Sequence, residues 1–251
     1  MRRAVTLALA GVAATALPVT SQADMILGVF AGAALWQQEL SGEFSDSSTV
    51  IDVGDDLGID DDSNATFYVA LEHFVPLIPN IRVERNEIEL SGSQVLTRTI
   101  DFGGNTYLAT DRVQSDIDLG HFDFILYYEL LDNWVSLDLG LDVKWFDGEI
   151  VLRSAASGEA SEALESPVPM LYAKASLSLP FTGWTLAADL RGIGYSGDSF
   201  TDSKAFVAYE GGYGLGFELG YRRLELDVDD LDDVMVNLTV DGAYGAITYH
   251  F

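Results

Sequence analysis

The segment Val135-Ser136-Leu137-Asp138-Leu139-Gly140-Leu141-Asp142-Val143-Lys144-Trp145 decides the fold. Apolar side chains take every odd position, and polar or small ones take every even position. That is the period of a β-strand with one greasy and one polar face. A helix would need apolar residues three and four apart, which this stretch lacks. Working outward, the same alternation runs through 168–180, where Leu171, Ala173, Ala175, Leu177 and Leu179 oppose Tyr172, Lys174, Ser176 and Ser178. It recurs in 115–130, with Phe122, Phe124, Leu126 and Tyr128 opposite His121, Asp123, Tyr127 and Glu129. Fainter versions are Leu27 to Leu35, Phe67 to Leu71, Ile81 to Val83, Leu186 to Leu190, Val207 to Tyr209 and Phe217 to Tyr221, and a last one runs from about 235 to Phe251. Ten strands are expected.

The connections between these segments differ in kind. Residues 76–80, 131–133, 180–183 and 211–214 read as tight turns. The others, roughly 39–63, 92–114, 148–167, 196–202 and 227–234, read as longer loops. Short turns alternating with long loops, on strands with one apolar face, predict an all-β, up-and-down antiparallel transmembrane barrel with periplasmic turns and external loops. An even strand count leaves both termini on the turn side. Tyr128, Trp134, Phe181 and Trp184 flank the turns, and Trp36, Trp145 and Tyr195 lie toward the loops, as two interfacial girdles would.

Residues 1–23 begin with Arg2 and Arg3, continue as an apolar stretch and end in Ser21-Gln22-Ala23. This reads as a secretory signal peptide cleaved before Asp24, leaving 24–251 as the barrel domain. Pro18 and the short apolar run argue against a membrane-anchoring helix. No other run of 18 apolar residues exists, and closed barrels are the only non-helical way through lipid.

Composition narrows function. The chain has 251 residues, 13 Lys and Arg against 40 Asp and Glu, and a formal charge of −27. So acidic a chain is a poor nucleic-acid binder, because phosphate affinity comes from Lys and Arg. With no cysteine, disulfides, thiolate nucleophiles and Cys-ligated metals are excluded. The 4 Trp, 11 Tyr and 13 Phe, with 48% hydrophobic residues, exclude a disordered chain. No cofactor is expected.

By parity the lumen receives Glu72, Arg82, Glu84, Asp123, Glu129, Asp138, Asp142, Lys144, Lys174, Asp189, Arg191, Glu210, Glu218 and Arg222. One reading is a salt-bridged plug that fills the barrel. The other is a narrow cation-preferring, porin-like pore, since nine of these groups are carboxylates and five are basic. The loops carry the remaining acid. Asp55, Asp56, Asp60, Asp61 and Asp62, with Asp52, and the group Asp227, Asp229, Asp230, Asp232 and Asp233 are oxygen-rich, but neither has the spacing of a calcium loop. Solvated acidic loops are the expectation, and metal ligation the weak alternative.

The chain ends Tyr249-His250-Phe251, and Ile247, Tyr249 and Phe251 at alternate positions resemble the insertion signal read by the bacterial barrel-assembly machinery. Val236, Leu238 and Val240 are in the opposite phase, so a bulge is expected near Asp241-Gly242. Together with Glu72-His73-Phe74-Val75-Pro76-Leu77-Ile78-Pro79-Asn80, Tyr127-Tyr128-Glu129-Leu130-Leu131-Asp132-Asn133-Trp134 and Gly220-Tyr221-Arg222-Arg223-Leu224, this terminal strand resembles a family of uncharacterised Gram-negative outer-membrane β-barrel proteins. The resemblance implies fold and location, with outer-membrane lipid as the surrounding partner, and no activity. Ten strands also occur in an outer-membrane protease family, whose chemistry by analogy needs an Asp/His pair and an Asp pair at the external rim. Here His73 and His250 fall at the periplasmic end, and His121 lies several residues down its strand, so no catalytic residue is assigned.

Overall fold

The computed structural model describes residues 27–46, 49–75, 77–231 and 234–251. The leader 1–23 and its cleavage point, Pro76, Asp232 and Asp233 lie outside the described residues, as do the side chains of Asp229 and Asp230. The strands are β1 (Leu27–Asp46), β2 (Thr49–Asp52), β3 (Asp62–His73), β4 (Asn80–Asn86), β5 (Glu89–Val95) and β6 (Ile100–Phe102). They continue as β7 (Asn105–Tyr107), β8 (Arg112–Asp118), β9 (His121–Asp132), β10 (Val135–Phe146), β11 (Gly148–Ser154) and β12 (Gly158–Leu164). The last are β13 (Pro167–Ser178), β14 (Trp184–Tyr195), β15 (Asp198–Glu210), β16 (Leu215–Leu231) and β17 (Val234–His250).

Ten of these form a closed antiparallel barrel in the order β17-β16-β15-β14-β13-β10-β9-β4-β3-β1. β17 pairs back onto β1, from Phe30 opposite His250 to Phe44 opposite Val236. Closure leaves no strand edge, so the backbone groups of the wall are paired all round. The ten predicted segments are the ten barrel strands, and β10 carries Val135 to Trp145 with the odd residues outward.

The connections depart from the expectation in two ways. Those expected at 196–202 and 227–234 are tight hairpins: β14 and β15 are joined by Ser196–Gly197, and Leu231 at the end of β16 already pairs with Val234. Both central residues of the first turn have positive φ, Ser196 at 58° and Gly197 at 115°. Second, the three long connections are not open loops. Strands β5, β8, β11 and β12 make a four-stranded sheet in the order β12-β11-β8-β5, β6 and β7 pair as a hairpin, and β2 folds back to pair antiparallel with the end of β1. Beneath this cap lies an apolar core including Ile51, Leu57, Ile88, Phe102, Tyr107, Ile117 and Leu152, all buried. On β8 the polar side chains point away: Val113, Ser115 and Ile117 are buried, and Arg112, Gln114 and Asp116 are exposed, whereas Asp56 of the cap is itself buried.

The cap core continues into the upper barrel because the strand faces exchange polarity. On β16 the outward residues run Leu215, Phe217, Leu219, Tyr221 and then Arg223, Glu225, Asp227. The inward ones run Gly216, Glu218, Gly220, Arg222 and then Leu224, Leu226, Val228. β1 does the same, with Leu27, Val29 and Leu35 outside in its first half and Leu40 and Phe44 inside in its second. Leu40, Val240 and Leu224 stand opposite one another on β1, β17 and β16, so the exchange falls at one height.

This corrects the bulge expected near Asp241-Gly242. Pairing with β16 is continuous there, with Gly242 opposite Arg222, Asp241 opposite Arg223 and Val240 opposite Leu224, and on β1 the ladder is interrupted between Trp36–Tyr244 and Glu39–Asp241 but keeps the same register. Even residues of β17 face inward throughout. What changes at 241 is which face is apolar. Gly242, at φ +155°, lies where a Cβ would sit 2.0 Å from the Gln37 carbonyl, so the close approach to β1 requires glycine.

Candidate functional site

Below the apolar layer the interior is ionic. Arg191 on β14 donates from Nη1 to Asp123 Oδ2 at 2.6 Å and from Nη2 to Glu84 Oε1 at 2.9 Å, and its Nε lies 3.5 Å from Asp189 Oδ1. Lys144 on β10 sits 2.7 Å from Asp123 Oδ1, 3.1 Å from Asp202 Oδ2 and 3.0 Å from His121 Nε2. An ammonium cannot accept, so His121 Nε2 accepts and its Nδ1–H donates to the Leu119 carbonyl at 2.9 Å. Arg222 on β16 grips Asp202 through Nε and Nη2 at 2.9 and 2.6 Å, and Asn86 Oδ1 through Nη1 at 2.6 Å. Its guanidinium also lies 4.6 Å above the Trp36 ring. Glu84 further accepts from Arg82 at 2.6 Å and Lys204 at 3.3 Å.

These contacts tie β3, β4, β9, β10, β14, β15 and β16 across the lumen, and Arg191, Lys144, Asp123 and Glu84 are fully buried. Fixed charges pulled out of water cost several kcal/mol each, so such a network holds only with nearly every partner present. Asp142 is the loosest member, 4.0 Å from Arg191 Nε.

The parity-assigned residues divide by depth. Glu84, Asp123, Asp142, Lys144, Asp189, Arg191 and Arg222 meet in this plug. Glu72 accepts from Tyr127 OH at 2.7 Å, and Lys174 lies 3.9 Å from Asp138, both nearer the short turns. Glu129 and Glu210 are exposed, and Glu210 stands 4.0 Å from His250 Nδ1. Ile247, Tyr249 and Phe251 face outward and are exposed.

Sequence reasoning missed Asp202 and Lys204, which it placed in or beside a loop, and Asn86. The even-position run Phe200, Asp202, Lys204, Phe206 on β15 was the available signal. His121 is the first residue of β9, not several residues down it, because β8 belongs to the cap; it is wholly buried. Trp36, expected in a lipid girdle, faces inward and is buried. Trp134, Trp145, Phe181, Trp184 and Tyr195 are exposed on the outer side.

His121, Asp123 and Asp202 have donor atoms within 4.8 Å of one another, the one such group among the described residues. Lys144 Nζ stands in hydrogen-bonding contact with all three, so an ammonium already supplies the positive charge a metal ion would bring. The cap aspartates do not converge. Asp56 is gripped by Arg98 Nε at 3.0 Å, and Asp52 Oδ1 accepts from Gly54 and Asp55 backbone N–H groups at 2.9 and 2.7 Å. Asp60 instead donates its backbone N–H to Ser91, and Asp62 opens β3. The Asp56 carboxylate raises the Arg98 pKa above its ordinary value, chiefly through their hydrogen bond.

Beneath the plug lies a chamber of about 220 Å³ that reaches the short-turn end, where Glu210, Gly214 and His250 line it. Its charged lining is balanced, with Arg82, Lys174, Lys204 and Arg222 against Glu72, Asp189, Glu210 and Glu218. Tyr68, Tyr127, Tyr172, Phe206, Tyr244 and Trp36 supply rings. The interior is therefore blocked at one end by ion pairs under an apolar core, and hollow at the other.

No protein-family model matches this chain, and no curated protein matches it. Solved structures similar to it include the translocator domain of the autotransporter NalP from Neisseria meningitidis, at 10% identity and TM-score 0.44, covering 89% of this chain and 88% of that one. An outer membrane channel from Pseudomonas putida F1 aligns at 9% identity and TM-score 0.41, covering 94% and 97%. Ail, the attachment invasion locus protein of Yersinia pestis, aligns at 9% and 0.35, covering 90% and 99%. At these values none lends this chain a residue role or an activity.

Proposed function

We propose that this protein is an integral outer-membrane barrel with a closed lumen, serving as an anchor that holds a folded acidic cap at the cell surface, with no catalytic role. The polarity exchange along β1, β16 and β17 carries this reading. A side chain such as Leu219, 63% exposed on the outer wall, is costly in water and at home in lipid. The exposed outward series of Phe122, Phe124 and Leu126 and of Leu139 and Leu141 continues that band around the wall. Above it the outer face is charged and the inside apolar, as in a water-soluble β-protein. Residues 1–23 would direct export, and Ile247, Tyr249 and Phe251 would present the insertion signal to the assembly machinery.

The plug and the core above it leave solutes no polar route through the cap end, which supports an anchor over a pore. Wholly buried His121, bonded to Lys144 and Leu119, offers no base to an external substrate. Purified, folded protein in planar bilayers should show no conductance steps. Stable cation-selective steps would replace the anchor with the porin-like channel.

A further inference from the structure

Among the described residues, five that are not glycine hold a left-handed backbone: Leu77 at φ 72°, Thr110 at 80°, Phe181 at 65°, Ser196 at 58° and Tyr213 at 69°. Such positions ordinarily take Gly, Asn or Asp, because a bulky side chain there crowds its own backbone. Thr110 and Ser196, at the cap end, are small and polar. Leu77, Phe181 and Tyr213 each sit in one of the short turns, and their side chains are 91%, 108% and 99% exposed. The fourth short turn presents exposed Trp134. Water favours neither a strained backbone nor a bare apolar side chain, so it is the wrong medium for these apices.

The apices are also held in place. Tyr128 OH donates to the Leu77 carbonyl at 3.0 Å. Thr182 Oγ1 donates to the Leu179 carbonyl at 2.8 Å, and the Glu210 N–H donates to the Gly183 carbonyl at 2.9 Å, fixing the turn of Phe181. The Gly211 N–H donates to the Leu215 carbonyl at 2.9 Å across the turn of Tyr213. Trp184 joins these last two turns, with its ring 5.0 Å from Tyr209 and 5.7 Å from Phe217.

Their height identifies the medium. On β10 the outward apolar series Val135 to Trp145 spans about 26 Å along the membrane normal, at ~3.4 Å per residue and a tilt of ~40°, and so fills an apolar band ~25 Å tall. The turns therefore begin where the headgroup layer begins, a layer ~5–7 Å deep on each side. Exposed Asp132 and Glu210 flank the apices, a mixture that suits headgroups and not hydrocarbon. A docking protein needs one patch, whereas apolar apices on all four turns match a layer that surrounds the barrel.

We propose that the short turns are sunk in the headgroup layer of the phospholipid leaflet on that side, with Leu77, Phe181 and Tyr213 as fixed wedges between the headgroups. The proposal rests on the lipid-facing band and goes beyond it, because a band of strand residues requires no bulky side chain on a left-handed turn.

The chain has no cysteine, so single Cys variants can each carry one nitroxide label. Gly212→Cys puts it beside Tyr213, where a Cβ meets nothing within 4 Å. Leu219→Cys reports on the band and Gln114→Cys on the cap surface. The full exported chain is folded into phosphatidylcholine vesicles, where only lipid can shield a label from a water-soluble nickel chelate in electron paramagnetic resonance. The Gly212 label should collide with the chelate at least about threefold less than the Gln114 label, and adding Tyr213→Asn should reverse much of that shielding. Asn tolerates a left-handed backbone, so replacing Leu77, Phe181 and Tyr213 by Asn together would stabilise turns that faced water. In vesicles the triple variant should instead lower the folded-to-unfolded ratio in urea by about tenfold. The proposal is overturned if the Gly212 label collides as freely as the Gln114 label while the Leu219 label stays shielded, which would leave the apices to a protein partner. A triple variant as stable as the unaltered chain, or more so, also overturns it. Free collision at Leu219 as well would overturn the lipid-facing band itself.

Discussion

The lower band of the barrel and the cap above it are built from the same kinds of side chain turned inside out. In the band, leucines and aromatics face outward and Arg191, Lys144, Asp123 and Glu84 are buried. In the cap and upper barrel, Leu57, Phe102, Ile117 and Leu224 are buried, and Arg223, Glu225 and Asp116 face outward. The backbone hardly registers the change, since β16 runs straight through it with constant pairing from Leu215 to Val228. The difference teaches that the strand period is set by the backbone, whereas which face is apolar is set by the outer solvent. Lipid outside permits charge inside, provided each charge finds a partner. Water outside demands the reverse.

The comparison breaks most severely where the plug is opened. Arg191→Met removes the fork shared by Asp123 and Glu84 and leaves buried carboxylates uncompensated, a loss of about 3–5 kcal/mol. Unfolding by urea in lipid vesicles should show it as a whole-barrel shift, and a change within error would mean that the plug is not a closed network. Phe102→Ala strikes the cap core with an expected local cost also of about 3–5 kcal/mol. Here the outcome differs in kind: limited proteolysis should cut the cap while the barrel keeps its heat-shifted mobility, because stability is not uniform across a structure. Loss of the barrel would show the two regions to be one cooperative unit.

A smaller effect sharpens the boundary itself. Leu219 and Glu225 both face outward on β16, on opposite sides of the exchange. Leu219→Arg should cost about 2–4 kcal/mol if that site meets the lipid midplane. Glu225→Arg should change stability by no more than ~0.5 kcal/mol, as for an ordinary surface site. Equal costs in vesicle-refolding titrations would remove the boundary between them.

That boundary also explains what was legible in the sequence. Wherever a strand stays within the band, as Val135 to Trp145 does, alternation alone identified it. Strands that cross the boundary misled the same rule. On β17, Val236, Leu238 and Val240 looked out of phase with Ile247 and Tyr249, although both sets keep their faces and only the polarity changes. On β16, alternation was traced only from Phe217 to Tyr221 and 227–234 read as a loop, although Leu224, Leu226 and Val228 carry the inner face on past Arg222. Asp202 and Lys204 were missed on β15 because the serines and threonine around them on the outer face gave no apolar contrast. The cap sheet was invisible for another reason. It joins β5 and β8 from one connection to β11 and β12 from another, and such distant pairing leaves no local period to read.

A further comparison separates the two regions by their ion pairs. Arg98 bridges Asp56 and the Val50 carbonyl at the cap surface, and its side chain is 47% exposed. Solvent screens the Arg98 end of this pair, but the Asp56 side chain is only 5% exposed, so Arg98→Ala should cost about 1–2 kcal/mol, still below the plug variants. Asp56 keeps one partner after the change, since its Oδ2 accepts from the Asp52 backbone N–H at 2.9 Å. Added salt should shrink the difference between Arg98→Ala and the unaltered protein in a cap-unfolding measurement, because a Debye length of about 8 Å at 0.15 M falls to about 3 Å at 1 M. The Arg191→Met penalty should resist salt, since no counterion reaches a wholly buried guanidinium site. If both penalties responded to salt alike, the plug would be as wet as the surface, and the contrast between a charged interior under lipid and a charged exterior under water would fail at its root.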